Sequence, residues 1–130
     1  MADKESRTYS GAEKRRFKRL NKAFVVRIRP EIGGHKDWDM VLIRNISKGG
    51  MCFITPDDIK VGAVLDFKIN VKLNKHTIIC KGAVIRARTL GKPSVHELGI
   101  SFKAIADADG DLINSTVEAL SKEPAQKPRA

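Results

Sequence analysis

Cysteine, proline and aromatic residues are scarce in this chain. Among 130 residues there are two cysteines, five prolines, one tryptophan, one tyrosine and five phenylalanines. Cys52 and Cys80 are too few for a disulfide scaffold, and in a reducing compartment such residues serve as small buried hydrophobes. His35, His76 and His96 keep no metal-ligand spacing with one another or with the cysteines, so no metal site is expected. Long apolar runs are also missing. No unbroken run exceeds four residues, as in Met40 to Ile43, whereas a membrane helix needs about 18 or more. Residues Met1 to Leu20 are polar and basic with no apolar stretch of a secretory signal, so a cytoplasmic protein without a membrane span is expected. Nucleophile elbow, phosphate-binding P-loop, dinucleotide fingerprint and paired acid–base residues are all absent, which argues against an enzyme and against a bound cofactor.

What is present is a globular composition with 42% apolar and 31% charged residues. A chain of this length buries roughly 65–70% of its unfolded surface, enough for one domain without metal or disulfide staples. The net charge is +10, and its placement is uneven. Residues 1–30 hold ten Lys/Arg against three acidic residues, while residues 31–130 hold fifteen against twelve. The excess at one end points to an anionic partner near the N-terminus: nucleic acid, a phosphate-bearing small molecule, an acidic membrane face or an acidic protein.

Residues 1–12 lack periodicity and read as a flexible basic arm; residues 123–130, with two prolines, read as a disordered tail. The domain is expected over residues 13–122. Its pattern is mostly strand. Ala23 to Arg29 sets Phe24, Val26 and Ile28 on one face, ending at Pro30 and Gly33-Gly34. Trp38 to Ile46 and Met51 to Thr55 follow, separated by a turn at Ser47 to Gly50. Ala63 to Leu73 alternates most clearly, with Leu65, Phe67, Ile69, Val71 and Leu73 opposite Asp66, Lys68, Asn70 and Lys72. A turn at Asn74-Lys75 leads to a strand from Thr77 to Arg88, in which Gly82 suggests a bulge or bend. After Gly91-Lys92-Pro93 comes Val95 to Lys103, then a helix from Asp107 to Ser121 with Leu112, Ile113, Val117 and Leu120 at helical spacing. Six strands with no intervening helices exclude a βαβ fold. They predict an all-β, six-stranded antiparallel barrel with a C-terminal helix that caps one opening.

Two segments carry the candidate chemistry. Lys14-Arg15-Arg16-Phe17-Lys18-Arg19 packs five basic residues into six positions. Guanidinium forks match both the O6/N7 edge of guanine and phosphate oxygens. Arg15 and Arg19, four apart, can divide those two tasks. The second segment is Asn45-Ile46-Ser47-Lys48-Gly49-Gly50. Asn45 and Ser47, two apart at a strand end, point the same way and can hydrogen-bond the rim of a planar ring. Gly49 and Gly50 permit close backbone approach and a small nest of N–H groups for an anion.

Arg-x-x-x-Arg followed about 25 residues later by (Asp/Asn)-x-Ser-x-x-Gly resembles the PilZ domain family. Gly82-Ala83-Val84-Ile85-Arg86 and Gly99-Ile100-Ser101-Phe102 are similar to two further strands of that family, and the likeness runs over about residues 13–121. The resemblance implies a barrel that binds cyclic di-GMP, a bacterial second messenger, as one molecule or a stacked pair. It implies that Arg15 and Arg19, with Arg16 and Lys14 beside them, grip guanine and phosphate. Asn45 and Ser47 would bond the ligand, with Gly49 and Gly50 allowing the approach. It also implies a switch, in which a loose arginine segment closes over the ligand and presents an altered surface to a protein partner, with motility or exopolysaccharide as the output. Asn45 stands where many members have Asp, which adds a donor. Lys14, before the first arginine, adds charge that favours a ligand pair. Arg86 has two roles open to it, reaching the ligand or covering the barrel wall.

Two other readings attach to the same residues. A small basic barrel that binds single-stranded nucleic acid fits the charge, but the few aromatics sit mostly at core-like strand positions and leave little to stack bases on. A degenerate barrel serving as a protein–protein adaptor is opposed by the presence of both motifs. Trp38 suits a core or edge position better than a base-stacking one.

Overall fold

The computed structural model describes residues 18–31 and 37–122. The proposed arm and tail, the domain start at residue 13, and the break at Gly33-Gly34 with His35 lie outside the described residues. Residues 18–23 form a short helical segment. Six strands follow: β1 (Phe24–Pro30), β2 (Asp39–Ile46), β3 (Gly50–Thr55), β4 (Val64–Val71), β5 (His76–Leu90) and β6 (Val95–Phe102). The helix α1 (Asp107–Lys122) ends the domain. The strands close into an antiparallel barrel in the order β1-β2-β3-β6-β5-β4, as the alternation predicts.

Side-chain alternation explains the closure. Phe24, Val26 and Ile28 of β1, and Leu65, Phe67, Ile69 and Val71 of β4, all point inward and are almost fully buried. Phe67 sits at the centre, edge-on to Phe53 at 6.2 Å and to Phe102 at 5.8 Å between ring centroids. Edge-to-face contacts of this kind add roughly 0.5–1.5 kcal/mol to the burial itself. Closure gives every strand two neighbours, although β5 beyond Ala83 pairs with β6 and not with β4.

Antiparallel order puts the start of β1, the β2–β3 turn, the β4–β5 turn and the end of β6 at one end of the barrel. Two elements close that end. Leu20 of the helical segment, 3% exposed, and Ile113 of α1, fully buried, both join the core cluster. The helix therefore caps an opening, as expected. It is held to the turns by polar contacts as well: His76 Nε2 lies 3.0 Å from Asp109 Oδ1, and the Lys48 N–H donates to Asn114 Oδ1 at 2.9 Å.

Three local expectations are corrected. Leu73 does not continue the inner face of β4; it sits in the turn, 82% exposed, because the chain reverses over Lys72 to Lys75 with Lys75 at φ +54°. Gly82 is not a bulge. It is paired in register with Leu65 and Phe102, and a Cβ there would come 2.5 Å from Ile100 Cγ2 and 2.9 Å from Phe67 Cε1. The β5 irregularity falls between Val84 and Arg86. Trp38 precedes β2 rather than opening it and is half-buried, with Arg29 Cζ 4.2 Å and Lys68 Nζ 4.7 Å from its ring centroid.

Candidate ligand site on the barrel wall

The outer wall at β2, β3, β6 and β5 is shaped by two bulges. In β2, Ile43 pairs with Phe53 but Asn45 pairs with Cys52, so one extra residue, Arg44, is inserted. Strict alternation from Val41 and Ile43 would turn Asn45 into the core. The bulge shifts the phase, burying Ile46 and exposing Asn45 and Ser47 together. The β5 bulge likewise brings Arg86 opposite Gly99. The registers then set Asn45, Cys52, Gly99 and Arg86 in one row across four strands.

The turn after Asn45 is rigid. The Ser47 N–H donates to the Gly50 carbonyl at 2.8 Å, and the Gly49 N–H donates to Ser47 Oγ at 3.2 Å. The Phe102 N–H donates to the Gly49 carbonyl at 2.9 Å. These bonds bind the turn to the end of β6. Ser47 thus serves as a turn residue, accepting with its oxygen while its hydroxyl proton remains free to donate outward. The Gly49 N–H is committed to Ser47, so the expected nest of two glycine N–H groups is not open at that position. The side-chain amide of Asn45 makes no hydrogen bond among the described residues and is exposed to the outside. Gly50 is the glycine that packing demands: a Cβ there would meet the Ile100 carbonyl oxygen at 1.9 Å. Gly49 faces open space, with only Ser47 Oγ at 4.0 Å.

Beyond the turn the row is flanked by cations. Arg86 lies along β6 over Gly99, where a Cβ would stand 3.1 Å from Nη2, so the missing side chain is what lets the guanidinium lie down. It has no carboxylate partner among the described residues. Glu97 accepts hydrogen bonds from Arg44 Nη1 and from Arg88 Nη2 at 2.7 Å. Burial pushes the Glu97 carboxyl up, but the hydrogen bond from Arg88 and the charges of Arg44 and Arg88 outweigh it and hold it below the usual range. Among the described residues, three guanidiniums stand around one carboxylate on this wall. Cys52 is the floor: buried, with burial first and the Glu97 carboxylate second raising its thiol pKa, so it is neutral and unreactive at neutral pH.

The arginine segment meets this wall at its root. Arg19 is half-buried in the helical segment, which Leu20 anchors in the core. Asn21 Nδ2 donates to the Ile43 carbonyl at 3.0 Å, and Asn21 Oδ1 accepts from the Ile43 N–H at 3.0 Å. Its amide imitates a neighbouring strand at the point where the β1–β2 register has run out. Asn21 stands two residues after Arg19, and Ile43 two before Asn45, so one pair of hydrogen bonds ties the two motifs together. Lys14, Arg15 and Arg16 lie outside the described residues. Asn21, Arg44, Arg88 and Glu97 were not singled out by the sequence, since their roles depend on strand register. The local hint is the position of Asn21, two residues after the basic cluster.

No group of His, Cys, Asp and Glu among the described residues is arranged to hold a metal ion. No helix among them is long and apolar enough to cross a membrane. What the wall offers among the described residues is an open, electropositive cradle of amide, hydroxyl and guanidinium groups. That chemistry defines a binding module for an anionic, hydrogen-bonding ligand. Residues 13–119 match the PilZ domain, and the chain belongs to the PilZ domain family.

No curated protein matches the chain. Solved structures do. The Bacillus subtilis inhibitor of motility MotI/DgrA superposes with a TM-score of 0.65 at 20% identity, covering 79% of this chain and 49% of that one. The complex of MrkH from K. pneumonia with c-di-GMP superposes with a TM-score of 0.61 at 20% identity, covering 82% and 50%. A further crystal structure of MrkH gives 0.62 at 20% identity, covering 82% and 48%. The chain thus spans about half the length of these proteins, and at that identity the likeness is one of fold.

Proposed function

We propose that this protein is a non-catalytic receptor for cyclic di-GMP, bound on the outer wall of the barrel beside the Asn45–Gly50 turn. One observation carries the reading: the β2 bulge turns Asn45 and Ser47 outward together on a turn that Asn21 ties to the root of the arginine segment. Membership of the PilZ family supports it, and so does the fold relative MrkH, whose structure is a complex with c-di-GMP. Arg15 and Arg19 grip the guanine edge and the phosphates, with Arg16 and Lys14 adding charge for one ligand or a stacked pair. Arg86 presents the free face of its guanidinium to a purine ring. The ligand closes the arginine segment over the turn, and a protein partner reads the changed surface in the cytoplasm. Control of motility or exopolysaccharide fits this reading; the neighbour MotI/DgrA is itself an inhibitor of motility.

The test is a calorimetric titration with cyclic di-GMP, with GMP and a short oligonucleotide as controls. Saturable binding with a stoichiometry near one or two is expected, and Arg19→Ala and Asn45→Ala should each weaken it at least about tenfold, as loss of a charge-assisted or buried polar contact does. No binding by calorimetry and by NMR would replace this reading with that of an adaptor. Binding of the oligonucleotide alone would replace it with nucleic-acid recognition.

A further inference from the structure

The barrel carries a second electropositive face, on the wall opposite the candidate ligand site. In the ring of strands, β1 and β4 are adjacent and lie across the barrel from β3 and β6. Outward residues on this wall fall into rows given by the register. One row is Arg29, Asp66 and Lys81, and its charges are matched. Lys81 Nζ reaches Asp66 at 2.6 Å and Glu31 at 3.0 Å, and Arg29 Nε reaches Asp66 at 3.5 Å. The next row is Met40, Arg27, Lys68 and Ile79. Here two cations stand directly opposite each other across the β1–β4 ladder, an arrangement that costs stability. Neither meets a carboxylate among the described residues; Arg27 donates to Asn70 Oδ1 at 3.1 Å, and Lys68 lies over Trp38. The row ends in exposed apolar side chains, Met40 at 61% and Ile79 at 62%.

A groove of about 600 Å³ opens beside this row, with Val25 and Met40 as its apolar part and Arg27, Lys72 and Lys75 as its basic rim. Lys72 and Lys75 also lack a carboxylate among the described residues. Its volume falls in the range of clefts that take a ligand or a few side chains, roughly 300–1,000 Å³. We infer that this β1–β4 wall docks an acidic, amphipathic segment of a partner protein. Carboxylates of that segment pair with Arg27, Lys68 and the turn lysines, and an aliphatic side chain enters the groove against Val25 and Met40.

Charge complementarity selects the occupant. The Arg27–Lys68 pair, which meets no carboxylate among the described residues, calls for anions, and Met40, Val25 and Ile79 call for aliphatic groups between them. A nucleic acid would supply the anions, but base stacking needs open aromatic faces, and Trp38, the aromatic ring on this wall among the described residues, already lies against Arg29 and Lys68. The wall lies across the barrel from Asn45 and Ser47, so a partner there leaves that turn uncovered.

The test uses the full chain, labelled for NMR, and a 15-residue peptide repeating Glu-Glu-Leu. Polyglutamate of equal length, oligothymidylate and phosphatidylserine vesicles serve as controls. Saturable binding of the peptide is expected, with shifts at Val25, Arg27, Met40 and Lys68 and at least about tenfold weaker binding by polyglutamate. Lys68→Glu should lose at least about tenfold in peptide affinity while its melting temperature holds or rises, since it sets an acid opposite Arg27. Arg27→Gln, which removes charge without reversing it, checks the same loss. The inference is overturned by absence of peptide binding, by equal binding of polyglutamate, by shifts confined to other walls, or by oligothymidylate or vesicles binding this face more tightly than the peptide. Cyclic di-GMP titrated into Lys68→Glu should bind as to the unaltered protein, which keeps failure here distinct from failure of the receptor reading.

Discussion

Gly50 and Asn21 show how single positions hold the candidate site. At Gly50 the start of β3 meets the backbone of β6 so closely that any Cβ collides with Ile100. Gly50→Ala forces the two strands apart, and a loss of about 1–3 kcal/mol is expected, as for overpacking elsewhere, read as a lower melting temperature and as weaker ligand binding. Gly49→Ala has room and should leave stability nearly unchanged, so the pair of variants separates sterics from loop chemistry. Asn21→Ala leaves the Ile43 N–H and carbonyl unpaired in a half-buried seam, at a cost of roughly 1–3 kcal/mol. Asn21→Asp keeps the acceptor for the Ile43 N–H and loses the donor, so urea denaturation should place it between the two. If Asn21→Ala lowers stability and leaves cyclic di-GMP binding untouched, the tie between the motifs has no functional role.

Among the elements, α1 and the β2 bulge have the largest consequences. The helix covers the barrel end where the Asn45–Gly50 turn lies, and its Ile113 side chain is fully buried. Ile113→Ala opens a cavity at that end, and roughly 2–5 kcal/mol of stability should be lost in chemical denaturation. The same helix receives the Lys48 N–H at Asn114 and lays Gly110 against the Lys48 side chain, where a Cβ would come 3.2 Å from Lys48 Cβ. Loosening α1 should therefore also loosen the turn, seen as faster amide exchange at Lys48. The periodic part of these elements was readable beforehand. Period-two alternation in β1 and β4, and helical spacing in α1, follow from burying one face of each. The bulges were not readable, because nothing local distinguishes Arg44 or Ile85 from a regular strand residue. Gly82 attracted the expectation of a bulge, yet its role is to make room for Phe67 and Ile100.

At the scale of the whole molecule, two carboxylates lace the barrel from outside. Glu97 of β6 joins Arg44 of β2 and Arg88 of β5, while Asp66 of β4 joins Arg29 of β1 and Lys81 of β5. Hydrogen bonding from Lys81, opposed in part by burial, holds the Asp66 carboxyl below its usual value, and the Glu97 carboxyl is held down as well. A carboxyl lowered in the folded state takes up its proton more readily when unfolded. The stabilisation is therefore complete above the ordinary carboxylate range, about pH 4, and is lost as pH falls through the folded values. Stability measured by urea from pH 7 to pH 3 should fall on the acid side, and Glu97→Gln should flatten that fall. An unchanged slope would show that the Glu97 contacts do not contribute.

Much was legible in the order of residues alone. Alternation specified six strands and one helix, and antiparallel closure followed because no helix separates the strands. The two motifs, with their spacing, pointed to the family and to Asn45, Ser47 and Gly50, since turn chemistry is local. What needed the folded molecule was everything set by register between distant strands. Only pairing shows that Asn45, Cys52, Gly99 and Arg86 share a row, that Asn21 replaces a strand at Ile43, and that Arg27 faces Lys68 instead of an acid. A bulge of one residue reverses the face of every residue beyond it, so side-chain direction in this barrel is a property of the closed sheet and not of any segment within it.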